Sequence, residues 1–272
     1  MTKPVKRILI LASALWMVTA SAGAQSPPIP FRSRSALPAV TSNNQIVRIF
    51  QKSCQVCHRP GDIGPFSLMS YAGALPYANH IKAETRARRM PPWKPVAGFG
   101  EFLDERGLSQ RDIDPIARWV DLGAQEGDPR DLPPPIQFPD QWVLGDPDLV
   151  VEPPADFSVS AEGEDIYRCF SIPLGLVQDR FITGVEVRPG NRSVVHHMVL
   201  FSDPLGLSAR LGNGGDPRPG YSCFGGPGIP ILDVIGAWAP GNQPQVFPSG
   251  VGLRATAGSR AVMQIHYHPN GS

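Results

Sequence analysis

The sequence lacks an excess of charge of either sign. Its 272 residues include 25 Lys and Arg against 24 Asp and Glu, a formal net charge of +1. Residues 1–24 carry three bases and no acid, so their removal would lower the net charge by three, to −2. General nucleic-acid binding needs a basic stripe, and this balance argues against it. With 42% apolar residues, the chain can still form a packed core.

The sequence also lacks a second apolar run long enough to cross a bilayer. The first 24 residues begin with a basic stretch, continue through an apolar run at 8–20 and end in Ala-Gly-Ala before Gln25. This pattern is typical of a secretory signal peptide, and the run is shorter than the roughly 20 residues of a membrane-spanning helix. No cysteine follows the cleavage site. We therefore expect a periplasmic or secreted mature protein without a membrane span, in an oxidising space that permits disulfides.

Cysteine is scarce, and the four cysteines fall into two unlike pairs. Cys54 and Cys57 are three residues apart and are followed by His58, which completes the motif C-x-x-C-H. In this motif two thiols add to the haem vinyl groups and the adjacent imidazole binds the iron. A redox dithiol or half a zinc site shares the C-x-x-C spacing. The adjacent histidine and the missing second cysteine pair favour haem c.

A six-coordinate electron-transfer haem needs a second axial ligand, and the downstream candidates are Met69, His80 and Met90. Met90 is favoured because it precedes two prolines, which fix the backbone and present the thioether from a stiff loop. Methionine ligation also suits a higher redox potential. Met69 and His80 are expected on or beside a helix, with His80 as an exposed polar residue.

Helical periodicity surrounds these ligands, and Ser109 with Asp112 forms a capping box before the last predicted helix. Residues 40–126 therefore resemble a class I cytochrome c domain, and the resemblance implies a small all-α fold with a role in one-electron transfer. Residues 127–139 contain five prolines, which predicts a semi-rigid extended linker at a domain boundary.

The half after the linker has short strand patterns separated by Gly/Pro-rich loops, which predicts an all-β jelly roll or sandwich. Two strand motifs contain four of the six histidines: His196 and His197 in one, His266 and His268 in the other. Buried neighbouring imidazoles are costly unless they are hydrogen-bonded or bind metal, and imidazoles suit Cu(II) or Zn(II). Adjacent strand residues point to opposite faces, so His196 and His197 share an ion only if the backbone bulges or different ring nitrogens bind. Ordinary hydrogen-bonded histidines are the alternative.

Four motifs follow one another in residues 140–272: His-His-Met-Val-Leu-Phe at 196–201, Ala-Trp-Ala at 237–239, Pro248 with Gly-Val-Gly at 250–252, and Gln-Ile-His-Tyr at 264–267. In this order they resemble the first copper domain of the ascorbate-dependent type II copper monooxygenases. That family includes peptidylglycine α-hydroxylating monooxygenase and dopamine β-hydroxylase. The resemblance implies that His196, His197 and His266 bind an electron-donating copper. Met198 packs beside them, and neither Met198 nor His268 is expected to be a ligand.

The stretch Tyr-Arg-Cys-Phe at 167–170 is also similar to a strand of this family, and the similarity implies a disulfide between Cys169 and Cys223. Two buried free thiols are the alternative. The family has a second copper domain, with its own His-x-His and a methionine ligand, where oxygen and substrate meet. The sequence reaches Ser272 without these motifs, so we expect a fragment that is inactive by itself and has no catalytic residue of its own.

The sequence thus predicts a signal peptide (1–24), a small all-α cytochrome c domain (40–126), a Pro-rich linker (127–139) and an all-β copper domain (140–272). The predicted function is an exported haem–copper oxidoreductase. Its c-type haem would deliver electrons to the copper of a monooxygenase that performs O2-dependent hydroxylation. A non-catalytic periplasmic electron-transfer or copper-binding protein is the alternative. The sequence identifies neither the small-molecule substrate nor the electron donor.

Overall fold

A computed structural model of the chain describes residues 39–96, 98–138 and 141–271. The predicted signal peptide lies outside these residues. From Val40 onward the chain forms one compact unit. None of the described helices is long and apolar enough to cross a membrane.

The first part of this unit contains short helices with loops between them. A single π-helical turn at Ser42–Ile46 leads into the first α-helix. The α-helices are α1 (Val47–Ser53), α2 (Tyr71–Ala74), α3 (Ala78–Arg86) and α4 (Gln110–Asp121). Helix α4 begins directly after Ser109, where the sequence predicts the last helix.

The apolar faces of these helices meet in one core. Phe50 of α1 and Trp119 of α4 are almost fully buried, and their rings pack edge to face with centroids 6.3 Å apart. Helix α4 buries Ile113 and Ile116 together with Trp119, which is the spacing of one helix face. Its N-cap, Ser109, donates its hydroxyl to the Asp112 carboxylate, so the predicted capping box is replaced by a side-chain pair.

The second part contains one five-stranded antiparallel sheet and two small two-stranded sheets. The strands are β1 (Ile166–Pro173), β2 (Arg180–Ile182), β3 (Gly184–Val185), β4 (Val195–Asp203), β5 (Tyr221–Ser222), β6 (Val234–Trp238), β7 (Gln245–Val246), β8 (Leu253–Ala255) and β9 (Arg260–Tyr267). The large sheet has the order β5-β1-β9-β4-β6, and the small ones pair β2 with β8 and β3 with β7.

Strand β9 lies at the centre of the large sheet, between β1 and β4. Its residues from Ala261 to Tyr267 are buried on both faces, which explains why its sequence is apolar at successive positions. Side chains of the small sheets and of the preceding loops pack against its core, among them Ile182, Val185 and Leu253. This central strand ends with His266 and Tyr267, so the imidazole of His266 lies at one end of the sheet.

The predicted fold class, a small all-α cytochrome c domain followed by an all-β jelly roll or sandwich, is wrong. Helix makes up 20% and strand 18% of the described residues, the helices are short, and no separate all-α cytochrome domain is evident among these residues. The Pro-rich segment packs onto α1, because the backbone oxygens of Asp131 and Pro134 accept hydrogen bonds from Arg48 and Gln51. Periodicity located the helices, but these long-range contacts, which tie the helical segment into one unit, carry no local sequence signal.

Candidate metal centre

Strands β4 and β9 bring three histidines together at one end of the five-stranded sheet. His197 lies directly opposite His266, and Val195 lies opposite Tyr267, so the register shifts by one residue at His196. This irregularity is a β-bulge, which lets two adjacent side chains approach the same point. The sequence predicts that His196 and His197 share one ion only through such a bulge or through different ring nitrogens.

The imidazole nitrogens converge through the same ring atom. Nδ1 of His197 lies 3.3 Å from Nδ1 of His196 and 3.2 Å from Nδ1 of His266. The ligand atoms of the three residues all lie within 4.8 Å of one another. Two nitrogens that bind one ion at about 2 Å, with a bond angle near that of a tetrahedron, stand about 3.3 Å apart. The donor set therefore fits a single transition-metal ion.

The surroundings of His196 and His197 disfavour protonation of their imidazoles. Burial lowers the pKa of His196 and of His197, and the neighbouring His266 lowers both further. His196 is exposed, His197 is half-buried and His266 is only 4% exposed. A neutral imidazole is the form that binds metal, so the lowered pKa values of His196 and His197 favour metal binding.

Aromatic residues and one carboxylate enclose the buried member of the cluster. The ring of Tyr167 stacks on that of His266 with centroids 4.2 Å apart, and Phe224 packs edge-on against Tyr167. Asp165 accepts a hydrogen bond from Nε2 of His266 at 2.8 Å and one from Nδ1 of His268 at 2.6 Å. Both hydrogen bonds lower the pKa of Asp165, and the one from His268 has the larger effect.

Sequence reasoning missed Asp165. It lies immediately before β1, and it reaches β9 because β1 and β9 pair in the register Ile166 opposite Tyr267. An acid next to the Tyr-Arg-Cys strand motif was visible in the sequence. Its partner, about a hundred residues away, depends on strand register, which a single sequence does not reveal.

The structure contains the Cys169–Cys223 disulfide, with the two Cα atoms 5.8 Å apart. This agrees with the pairing that the resemblance implied. Cys169 lies in β1 opposite Gln264 of β9, and the Gln264 side-chain amide donates to the backbone oxygen of Cys223 at 2.9 Å. The bridge and this amide hold the segment after β5 against the strands that carry Tyr167 and His266.

The C-x-x-C-H residues lie at the C-terminal end of α1. Cys54 caps the helix, and Cys54 and Cys57 are not bonded to each other, although the chain forms a disulfide elsewhere. Burial raises the pKa of the Cys54 thiol to about 12 and also raises that of Cys57. A reactive dithiol needs a lowered thiol pKa, so these environments disfavour a redox dithiol at this motif.

The orientation of His58 fits an axial haem ligand. Its Nδ1 lies 3.1 Å from the backbone oxygen of Phe66, which assigns the ring proton to Nδ1 and leaves Nε2 as the free donor. Gly64 allows this packing, because a Cβ at that position would lie 2.8 Å from Cα of His58. The two unpaired thiols and this imidazole together fit covalent haem c.

The structure places the three candidates for the sixth haem ligand in different surroundings. Met90 follows α3 and is 41% exposed, and Met69 is half-buried. His80 lies on α3, exposed as predicted, and is near enough to lower the pKa of His58, although burial is the larger cause. Met90 as the ligand stays a prediction.

The C-x-x-C-H segment, residues 54–58, lies against the end of the sheet that carries the histidines. Residues 239–242 form a Pro-Gly turn just after β6, closed by a hydrogen bond from the Asn242 amide to the Ala239 oxygen at 2.9 Å. A Cβ on Gly241 would lie 3.4 Å from Sγ of Cys57. Arg106 donates from Nη1 to the Pro240 oxygen at 2.9 Å, which fastens the turn to the helical segment.

A charge pair joins the same two parts beside the first histidine strand. Arg192, three residues before β4, lies 4.0 Å from the buried carboxylate of Asp62, which also binds Arg59. Met198 of β4 lies opposite Trp238, the last residue of β6. The start of β4, the end of β6 and the end of β9 therefore lie at the end of the sheet that faces Cys57.

The comparisons with known proteins leave this geometry as the main guide to function. No protein-family model matches the chain, and no curated protein sequence matches it.

Proposed function

We propose that this chain is an exported haem–copper oxidoreductase in which His196, His197 and His266 bind copper. The observation that carries the proposal is the convergence of three Nδ1 atoms, with two separations of 3.3 and 3.2 Å. Three imidazoles without a thiolate or a carboxylate ligand suit copper and zinc alike. The choice between the two metals therefore depends on what surrounds the cluster.

The neighbouring C-x-x-C-H segment favours copper over zinc. Cys54, Cys57 and His58 would hold haem c, and Met90 is the proposed sixth ligand. A bound haem and a bound copper would each supply one-electron redox chemistry, which zinc does not. The contact of Cys57 with Gly241 brings the attachment site to the end of the sheet that carries the histidines. A redox-active ion at the cluster could exchange electrons with a haem held at this place, whereas zinc could not.

The chain's own residues fix the distance between the two proposed sites. Arg106 binds the turn after β6, and Arg192 pairs with Asp62 beside β4. Attachment within one compact unit keeps electron donor and acceptor at a high effective concentration, which separate proteins would need affinity to achieve. These contacts support a direct electron path from the helical segment to the histidine strands.

We further propose that this electron path serves O2-dependent hydroxylation, as the resemblance to the type II copper monooxygenases implies. Within the described residues, the three histidines are the one cluster with metal-ligand geometry. The histidine cluster would serve the electron-supply part of this chemistry, and the hydroxylation itself would take place at a second copper centre. Periplasmic or secreted localisation is proposed from the leader pattern and from the disulfide.

Electron paramagnetic resonance of the Cu(II)-loaded full chain tests the metal site. We expect one Cu(II) per chain with hyperfine coupling to three nitrogens, and His197→Ala should remove one nitrogen and weaken binding. His80→Asn is the matched control, because it removes an imidazole on α3 that lies outside the cluster. Wild-type spectra without nitrogen coupling, or spectra that His197→Ala leaves unchanged, would contradict the copper site.

Stopped-flow mixing tests the electron path. Haem reduced with a chemical donor should be reoxidised when Cu(II) occupies the cluster, and His197→Ala should abolish this fast phase. The alternative function, a non-catalytic electron carrier, makes the same prediction for this step. The two functions differ in whether the complete exported protein forms an O2-dependent product.

A further inference from the structure

The carboxylate of Asp165 bridges two histidines, His266 in β9 and His268 just after it. Oδ2 lies 2.8 Å from Nε2 of His266, and Oδ1 lies 2.6 Å from Nδ1 of His268. Asp165 precedes β1, and the pairing of β1 with β9 sets it opposite the end of β9. Each oxygen therefore has its own imidazole partner.

This bridge determines which nitrogen of His266 faces the cluster. An ionised carboxylate only accepts hydrogen bonds, so Nε2 of His266 must carry the ring proton. The remaining nitrogen, Nδ1, keeps its lone pair and lies 3.2 Å from Nδ1 of His197. His266 is only 4% exposed, and its Nε2 donates to the Asp165 carboxylate at 2.8 Å.

His268 differs from His266 in its surroundings, although both side chains bind Asp165. Its side chain is 59% exposed, and its Nδ1 is occupied by Asp165. The cluster with metal-ligand geometry contains His196, His197 and His266 and leaves His268 outside. Its contact fixes one oxygen of Asp165, which aims the other oxygen at His266.

We propose that Asp165 is a positioning residue of the metal site, which holds His266 as an Nδ1 donor, and that His268 acts on the site only by orienting Asp165. This inference rests on the proposed copper function. Carboxylates that bind the distal nitrogen of a metal-bound imidazole raise its basicity and fix its tautomer. The His-x-His pattern at the end of β9 thus contains one ligand, His266, and one residue that orients the carboxylate, His268.

Cu(II) affinity, measured by competition with a chelator on the full chain, is the first test. Asp165→Ala should weaken Cu(II) binding by about 10- to 100-fold, the usual effect of losing such a partner. Asp165→Asn, which keeps an acceptor oxygen but no charge, should fall between Asp165→Ala and the wild type. His268→Gln should have a smaller effect than Asp165→Ala. Glu164→Gln, an exposed acid next to Asp165, is the matched control and should bind Cu(II) like the wild type.

Pulsed electron paramagnetic resonance separates positioning from general damage, because it detects the distal nitrogen of each bound imidazole. Asp165→Asn should change the signal of one distal nitrogen out of three and leave the thermal unfolding midpoint of the metal-free protein close to the wild-type value. Unchanged affinity and unchanged distal-nitrogen signals in Asp165→Ala would overturn the inference and leave the copper site standing. A wild-type protein that binds no Cu(II) through three nitrogens would overturn the proposed function instead.

Discussion

The two regions with candidate cofactor ligands differ in how far the fold completes each site. In the sheet, Nδ1 of His197 already stands 3.3 and 3.2 Å from Nδ1 of His196 and of His266, the separation of two nitrogens on one metal ion. In the helical segment, Cys54, Cys57 and His58 are adjacent in sequence, but the proposed sixth ligand, Met90, is 41% exposed on a loop. The sheet builds its site from strand register, and the helical segment builds its site from local sequence.

This difference has a physical cause. Strand pairing fixes residues that are distant in sequence, because a shift of one position would turn every side chain to the other face. The haem motif needs only one turn of chain, since covalent attachment holds the cofactor. We therefore expect the sheet site to depend on long-range contacts and the haem site to depend on a few local residues.

The largest expected effect separates the two sites completely. The double variant Cys54→Ser and Cys57→Ser should carry no covalent haem, because neither thioether can form. Haem staining after denaturing electrophoresis should fall to background, while Cu(II) binding at the histidine cluster should persist. Loss of both cofactors in this variant would show that the sites are interdependent.

The next effect concerns the disulfide that braces the sheet site. The double variant Cys169→Ala and Cys223→Ala should lose about 4 kcal/mol of unfolding free energy in the chain-entropy model, because the bridge closes a loop of 54 residues. Denaturant unfolding in the absence of reductant measures this loss. If the wild type with and without reductant unfolds at the same denaturant concentration, the bridge does not brace the fold.

The contact between the regions should have a smaller effect on stability and a specific effect on electron transfer. Arg106→Ala removes the hydrogen bond to the Pro240 oxygen and should cost about 1–2 kcal/mol. It should also slow copper reduction by haem in stopped-flow experiments, without changing the spectra of either centre. Arg111→Ala, an exposed arginine on α4, is the control. Equal electron-transfer rates in the two variants would show that the turn after β6 is not part of the path.

Two substitutions decide between Met90 and His80 as the sixth haem ligand. Met90→Leu should abolish the sulfur-to-iron charge-transfer band of the oxidised haem, and His80→Asn should leave that band in place. Optical spectra of the purified variants measure both. The opposite result would assign the sixth position to His80.

The smallest expected effect is a pH dependence within the sheet region. Hydrogen bonds from Arg218, and then from the buried Arg168, hold the pKa of Asp216 well below its ordinary range. A carboxyl group with a lowered folded-state pKa stabilises the fold above its unfolded-state pKa, and this stabilisation is lost as the pH falls below about 4. Asp216→Asn should therefore flatten the acid limb of the stability curve, measured by urea unfolding at several pH values. An acid limb as steep as in the wild type would assign the dependence to other groups.

Sequence reasoning reached the histidine cluster better than it reached the fold. The adjacent histidines and the C-x-x-C-H motif are local signals with specific chemistry, and the alternation of strand residues placed His266 on a strand. The separate cytochrome domain was wrong, because contacts such as Arg106 with Pro240 and Arg59 over the Phe138 ring join the segments into one unit. Asp165 escaped prediction for the same reason, since its role depends on the pairing of β1 with β9.

Anomalous X-ray diffraction at the copper absorption edge tests the central claim most directly. Crystals of the Cu(II)-loaded full chain should give one strong anomalous peak about 2 Å from the Nδ1 atoms of His196, His197 and His266. A peak bonded to fewer than three of these nitrogens, or copper bound only at surface residues away from the ends of β4 and β9, would contradict the account.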